Sequence, residues 1–217
     1  MILNYILLLL TAFIAYTTGS ISTLRVASQY VFHRDLTKLG RGNVWISNFR
    51  RLYGPLGFLK LALVELGKDL LPLLIGALLI GFRGKADLGR IFAGFCLMMG
   101  RLWPVFNRFR GCHGVLALIL IGLLVDPAIG VTAAAGAALG VWLFKSLSMG
   151  ALAGAVSMGA ISVMVLEPPQ RLILILTELV CLLVLVHHIP AIVRLLRGRE
   201  EKLSRVEDIS YKFDEKF

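Results

Sequence analysis

Charge is scarce in this sequence, and acid is scarcer than base. Only 17% of the 217 residues are charged, with 23 Lys and Arg against 13 Asp and Glu. An ordinary soluble domain is about a quarter charged, so the composition argues against a single water-facing globule. Cysteine is sparse too. Cys96, Cys112 and Cys181 form no CxxC pair, so neither a disulfide framework nor a cysteine metal site is expected. Cys96 and Cys181 fall within apolar runs, where a free thiol behaves as a small hydrophobe. There is no HExxH and no Walker A stretch, which removes the commonest signatures of a zinc hydrolase and a nucleotide-binding loop. No Lys or Arg precedes Arg25. The apolar N-terminus therefore lacks the charged start of a signal peptide and reads as a retained first membrane helix. No low-complexity segment or internal repeat is evident.

Apolar residues are what the chain has in excess: 58% of the total, with a mean hydropathy of +0.82. They come in runs. A span needs about 20 mostly apolar residues, and seven segments can be drawn, over 2–31, 55–82, 91–106, 115–125, 128–144, 147–166 and 172–189. The first is interrupted by the polar stretch Thr17 to Thr23, and the fourth is short enough to be half-length or re-entrant. The expectation is an all-α, polytopic integral membrane protein. It has about seven transmembrane helices, some short or re-entrant, in a single domain over 1–217 with a charged tail from about 194 to 217. Small residues crowd the fifth and sixth segments, from Gly130 to Gly140 and from Gly150 to Ala155. Such faces let helices approach closely in lipid, either inside one bundle or between two copies.

The net charge of +10 would suggest nucleic acid on a soluble protein. Here the basic residues sit between apolar runs and set orientation, so no nucleic acid is expected. With the N-terminus outside, the inner side holds Arg34, Lys38, Arg41, Arg50, Arg51, Arg101, Arg108, Arg110, Lys145 and the seven bases from Arg194 onward. The outer side holds only Arg83, Lys85, Arg90 and Arg171. Sixteen against four is a strong positive-inside bias and places the C-terminus in the cytoplasm.

Ionisable residues at membrane depth are candidates for function. Glu65, Lys68 and Asp69 share one helical face, and Glu65 and Lys68 are spaced to pair, which predicts a brace at the cytoplasmic end of the bundle. Two loops have the make-up of anion sites. One, GRGNVWISNFRRLYG from Gly40 to Gly54, combines glycines with Arg41, Asn43, Asn48 and Arg51. The other, RLWPVFNRFRGCHGV from Arg101 to Val115, gathers Arg101, Arg108, Arg110 and His113. Glycines let backbone N–H groups come close to an anion, and Arg and Asn add side-chain donors. Charge in both loops also serves topology. Ser146 and Ser148 open the sixth segment, where serine commonly caps a helix. His187 and His188 close the seventh.

Taken in order, these stretches resemble the bacterial acyl-phosphate-dependent glycerol-3-phosphate acyltransferases, the PlsY family. Gly19-Ser20-Ile21 is similar to the family's GSI. Gly40 to Arg51 resembles GSGNxGATNxxR, and Glu65, Lys68 and Pro72 fall on DxxKGxxP. Gly100 to Gly114 resembles GHxxPxFxxFxGGKG, Ser146-Leu147 resembles SL, and His188 to Glu200 resembles HxxNIxRLxxGxE. The resemblance implies transfer of a fatty acyl group from acyl-phosphate to the 1-hydroxyl of glycerol 3-phosphate, giving lysophosphatidate in phospholipid synthesis. It implies no metal or cofactor, and it implies a place in the bacterial inner membrane. Carried over residue by residue, it makes Ser146, His188 and His113 the candidate catalytic residues. Arg41, Asn43, Asn48, Arg51 and Arg101 become the candidate substrate- and phosphate-binding residues. The chain departs from the pattern at Arg41 for Ser, Arg101 for His, His113 for Lys and Ala191 for Asn. Those departures motivate a second reading, a catalytically silent relative that binds lipid or serves as a subunit beside a membrane-protein partner.

Overall fold

The computed structural model describes residues 2–26, 46–81, 84–109 and 111–199. Arg41, Asn43 and the tail beyond 199 lie outside the described residues. All of the regular structure among those described is helical. In chain order the helices are α1 (Ile2–Ser20), the short α2 (Thr23–Val26), α3 (Ile46–Gly81), α4 (Ala86–Leu102), α5 (Val115–Val125), α6 (Pro127–Phe144), α7 (Leu147–Val165), α8 (Arg171–His187) and α9 (Ile189–Leu196). Each of the seven apolar segments overlaps one of the helices α1 and α3 to α8. Among the described residues four stretches are long and apolar enough to cross a membrane: Ile2–Ser20, Pro127–Phe144, Leu147–Val165 and Pro168–His187. Val115–Val125 is apolar but short.

The first segment breaks after Ser20 and resumes as α2 at Thr23, where the polar stretch Thr17 to Thr23 predicts an interruption, and residues 27–31 lie outside the described residues. One boundary differs from the sequence reading. The second segment begins at Ile46, two turns ahead of Pro55. Proline favours the first turn of a helix and so marked the expected start, and Gly40 to Gly54 read as a loop. In the structure α3 runs through Pro55, so Asn48 and Arg51 lie on a helix. Hydropathy reports where lipid begins, and a helix that rises into water before entering it is longer than its apolar run.

α4 is the central helix. It packs on α1, α3, α5 and α8, and its Ile91, Ala93, Leu97, Met98 and Leu102 are fully buried. The outer faces carry the opposite pattern: Leu9 is 71% exposed, Trp142 74% and Met164 82%. On a soluble protein such apolar faces would be a liability; here they face hydrocarbon.

In lipid there is little hydrophobic drive between helices, so close packing and hydrogen bonds hold them together. Glycine at the crossings provides that approach. A Cβ on Gly100 would lie 2.2 Å from Tyr16 O, and one on Gly140 would lie 2.6 Å from Met149 O. α6 and α7 form the most extensive pair, and Ser157 Oγ donates across it to Thr132 O at 3.1 Å. The small-residue stripe is thus used inside one bundle. The α5–α6 turn is equally local in origin: Asp126 Oδ1 accepts from Ala128 N at 2.7 Å, with Pro127 opening the helix.

Replacing Gly140 by Val should cost about 1–3 kcal/mol, the usual penalty for overpacking, because the clash is with backbone. Thermal unfolding of the purified protein in detergent measures it; a melting temperature equal to wild type would mean that α6 and α7 are not held this closely.

Candidate active site

One end of the bundle gathers the chemistry. The last turn of α4, the loop 103–114, the start of α7 at Ser146 to Ser148, the end of α8 at His187 and the helix α9 all meet there. A cleft of about 230 Å³ opens at this end, lined by Gly111, Cys112, His113, Ser148, His187, His188, Pro190, Ala191 and Arg194.

Local sequence explains why these side chains converge. α8 stops at His187, and Pro190 at the start of α9 lacks the N–H that would continue the ladder. The chain bends here and turns both histidines and Arg194 toward the cleft. The loop before α5 ends on Gly114 at φ 67°, a conformation glycine adopts without penalty. The non-glycine residues with positive φ among those described are Arg108, Phe109 and Lys145. All three lie in the two loops at this end, where strained backbone commonly marks function.

The imidazoles form a row. The His113 and His188 ring centroids are 5.8 Å apart, those of His187 and His188 are 5.1 Å apart, and Trp103 meets His187 edge-on at 5.3 Å. His188 is buried, and its Nδ1 lies 2.8 Å from Val184 O. A carbonyl can only accept, so Nδ1 carries the proton. In the neutral ring the lone pair then belongs to Nε2. Burial, and next the nearby charges of His188, His187 and Arg194, pull the His113 pKa down to about 3. His113 is therefore neutral at pH 7 and is no standing cation for a phosphate. Arg194 is the arginine on the cleft wall.

Several expected site residues have other positions. Arg101, expected to hold phosphate, is buried and turned away from the cleft. Its Nη1 donates to Asp69 Oδ2 at 2.5 Å, and its Nη2 is bonded to Glu65 Oε1. A guanidinium among helices seeks the nearest carboxylates, and α3 presents two. The expected Glu65–Lys68 brace exists, at 3.7 Å, with Lys68 also 3.6 Å from Asp69, but Arg101 is its centre. Ser146 is buried at the N-cap position of α7 without a side-chain capping bond, while Ser148 lines the cleft. Arg108 is exposed on the αL turn. Asn48 and Arg51 sit near the start of α3, about four turns ahead of Glu65.

Sequence reasoning missed Ser148, His187, Cys112 and Arg194 as lining residues. For Arg194 a signal was present, since it falls within the stretch His188 to Glu200 that was matched to the family pattern. It had been counted only as tail charge. Among the described residues no three His, Cys, Asp or Glu side chains are placed to hold a metal ion.

The His113 environment sets a pH dependence. Its pKa is lowered on folding, so between the unfolded value and about 3 the unfolded chain binds more protons than the folded one. Stability should be fully present above about pH 6.5 and fall as the pH drops through that window. His113→Gln should show a shallower loss between pH 7 and pH 4 than wild type when melting is followed against pH. Parallel curves would mean that His113 is not buried as described.

The model of the glycerol-3-phosphate acyltransferase family matches residues 9–198. The glycerol-3-phosphate acyltransferase of Thermoanaerobacter sp. (strain X514) is 30% identical over 200 residues, covering 92% of this chain and 98% of its own. That of Syntrophotalea carbinolica is 32% identical over 190 residues, covering 87% and 93%. The backbone is similar to the crystal structure of PlsY, an integral membrane glycerol 3-phosphate acyltransferase, in its glycerol 3-phosphate form. The TM-score is 0.73 at 23% identity, over 90% of this chain and 94% of that one. The lysophosphatidic acid form matches with a TM-score of 0.74. With its end-of-bundle cleft, the model match over nearly all of its length and relatives this similar, the chain belongs to the glycerol-3-phosphate acyltransferase family.

Proposed function

We propose that this chain is an integral membrane enzyme that transfers a fatty acyl group from acyl-phosphate to the 1-hydroxyl of glycerol 3-phosphate. The observation that carries the reading is the cleft itself: a row of imidazoles and an arginine at one end of a bundle whose sides are apolar. Such a site can hold an anionic head while the acyl chain lies against lipid-facing helices.

The hydroxyl oxygen attacks the acyl carbon, the ester bond forms, and the bond from that carbon to the phosphate oxygen breaks. The proton leaves the hydroxyl for His188 Nε2 and passes to the departing phosphate, so lysophosphatidate and inorganic phosphate are the products. Arg194 stabilises phosphate charge at the cleft, and Arg41, Asn43, Asn48 and Arg51 keep the phosphate-binding role that the family resemblance implies. Positioning supplies much of the rate, and fixed donors stabilise the developing charge. His113, held neutral, serves as a hydrogen-bonding partner and not as a point charge. Ser148 lines the cleft and orients the acceptor hydroxyl beside the candidate catalytic Ser146.

Purified protein in lipid vesicles, given acyl-phosphates of several chain lengths and glycerol 3-phosphate, should form lysophosphatidate above a vesicle control; no product at any length would overturn the proposal. Arg51→Ala and Arg194→Ala should each weaken glycerol 3-phosphate binding by about 1.5–3 kcal/mol, the range for a hydrogen bond to a charged group. Arg50→Ala should cost much less, since its helical register differs from that of Arg51 by about 100°. Calorimetry in nanodiscs compares all three, and equal affinities for Arg50→Ala and Arg51→Ala would leave Arg51 a topological role only.

The proposed location is the bacterial inner membrane, with the cleft and C-terminus on the cytoplasmic side, supported by the sixteen-to-four division of basic residues. A membrane-impermeant thiol reagent applied from outside should reach cysteines introduced near Arg83 and Arg171 and not one near Arg205. The reverse pattern would invert the topology.

A further inference from the structure

Arg101, Asp69, Glu65 and Lys68 form a set of two bases and two acids at the junction of α3 and α4. Asp69 is fully buried, and Glu65 and Arg101 are each 5% exposed. The formal charges cancel. Lys68 Nζ also donates to Ile21 O at 2.7 Å, and Ser20 Oγ donates to Gly100 O at 3.3 Å, so the end of α1 is tied to the same junction. On the backbone side, Arg101 O accepts from Cys112 N at 3.3 Å. Gly111 is pressed against the end of α4, where an added Cβ would lie 2.4 Å from Arg101 O and 2.2 Å from Leu102 O. The residue whose side chain enters the charge set is therefore the residue whose carbonyl holds the loop bearing His113.

Two positions in this set are unusual. In the pattern that the sequence resembles, the place of Arg101 is a histidine and the place of Asp69 is a glycine. Both replacements are charged, they have opposite signs, and they touch. Either alone would leave an uncompensated charge among packed helices, which is strongly destabilising, whereas replacing a buried pair together is often neutral.

We infer that Arg101 is a positioning residue for the His113 loop and that Asp69 is its obligate counter-charge, the two acting as a single exchanged pair. The loop's purpose rests on the reading of the cleft as the substrate site; the pair's coupling and its hold on the loop do not. With the pair intact, the last turn of α4 is fixed against α3, and residues 111–113 take their place from it. With one member gone, the excess charge draws in water or an ion, the end of α4 shifts, and the loop moves with it.

The chain carries its own reporter. Cys112 lies in the loop at intermediate exposure, while Cys96 and Cys181 are buried. A charged methanethiosulfonate reagent applied to the purified full-length protein in detergent reads the loop through the Cys112 labelling rate, with Cys112→Ser as the blank. Arg101→Gln and Asp69→Asn should each raise that rate about threefold or more and lower the melting temperature by about 10 °C. The double variant Arg101→Gln/Asp69→Asn should return both toward wild type. Gly136→Val, which disturbs α6 and α7 at Ala153 and Ser157, away from the cleft, should lower the melting temperature and leave the Cys112 rate unchanged, separating placement of the loop from general loosening. If Arg101→Gln cannot be recovered folded, Asp69→Asn and the double variant carry the comparison; a double variant that folds where the single does not supports the pair. Single variants labelled at the wild-type rate, or a double variant whose losses simply add, would overturn the inference. None of these readouts needs turnover, so failure of the acyltransferase reading and failure of this one are seen separately.

Discussion

A guanidinium buried between helices must be answered by carboxylates, and the organisation of this protein's polar end depends on that constraint. Arg101 meets Asp69 and Glu65 of α3, and Lys68 completes the set while reaching back to the end of α1. Three helices that otherwise share apolar and glycine contacts and the hydrogen bond from Ser20 to Gly100 O are thereby fixed in relative height at the end where the cleft lies. Elsewhere the helices rely on close approach: Gly19 and Gly100 let α1 and α4 meet backbone to backbone, and Gly136 and Gly140 do so for α6 and α7. Such contacts hold helices together but resist sliding weakly. Ion pairs are directional and specify register.

The cleft follows from this arrangement. The loop carrying His113 is hung from the carbonyl of Arg101, and its turn at Arg108 and Phe109 is closed by Phe109 N, which donates to Pro104 O at 2.9 Å. Opposite stand His188 and Arg194, turned inward by the break between α8 and α9. The imidazoles crowd one another, and burial favours the neutral form of His113. A phosphate arriving in this cleft meets neutral donors and acceptors flanked by arginine. That suits a reaction in which a proton must leave a hydroxyl while negative charge is held still.

Much of this was legible in the residues. Apolar runs located seven helices, and the fourth, 115–125, was read to the residue because Asp126 and Pro127 announce both a stop and a cap. The i, i+3, i+4 placement of Glu65, Lys68 and Asp69 announced a shared face. The third partner was not legible. Arg101 lies 32 residues from Asp69, and in a basic loop-edge stretch it looked like one more anion ligand. Ser146 and Ser148 differ by two positions, and only the start angle of α7 decides which enters the cleft. Arg194 was read as tail because hydropathy falls there, although a further helix, α9, continues past the membrane segment.

The sequence by itself determined the solvent, the secondary structure and the family. Those follow from local quantities: runs of apolar side chains about as long as a bilayer is thick, helix-compatible residues throughout, and ordered motifs at set spacings. Tertiary structure alone decided which cation is buried in an ion-pair set and which lines the cleft. An arginine's role depends on what lies within a few ångströms of its guanidinium, and in a helical bundle those neighbours come from distant parts of the chain. Arg101 and Arg194 are the same residue type near the same end of the molecule. The first is neutralised by two carboxylates of α3 and braces the fold, and the second lines the cleft, because close charges in a poorly polarisable interior interact strongly and their neighbours come from distant parts of the chain.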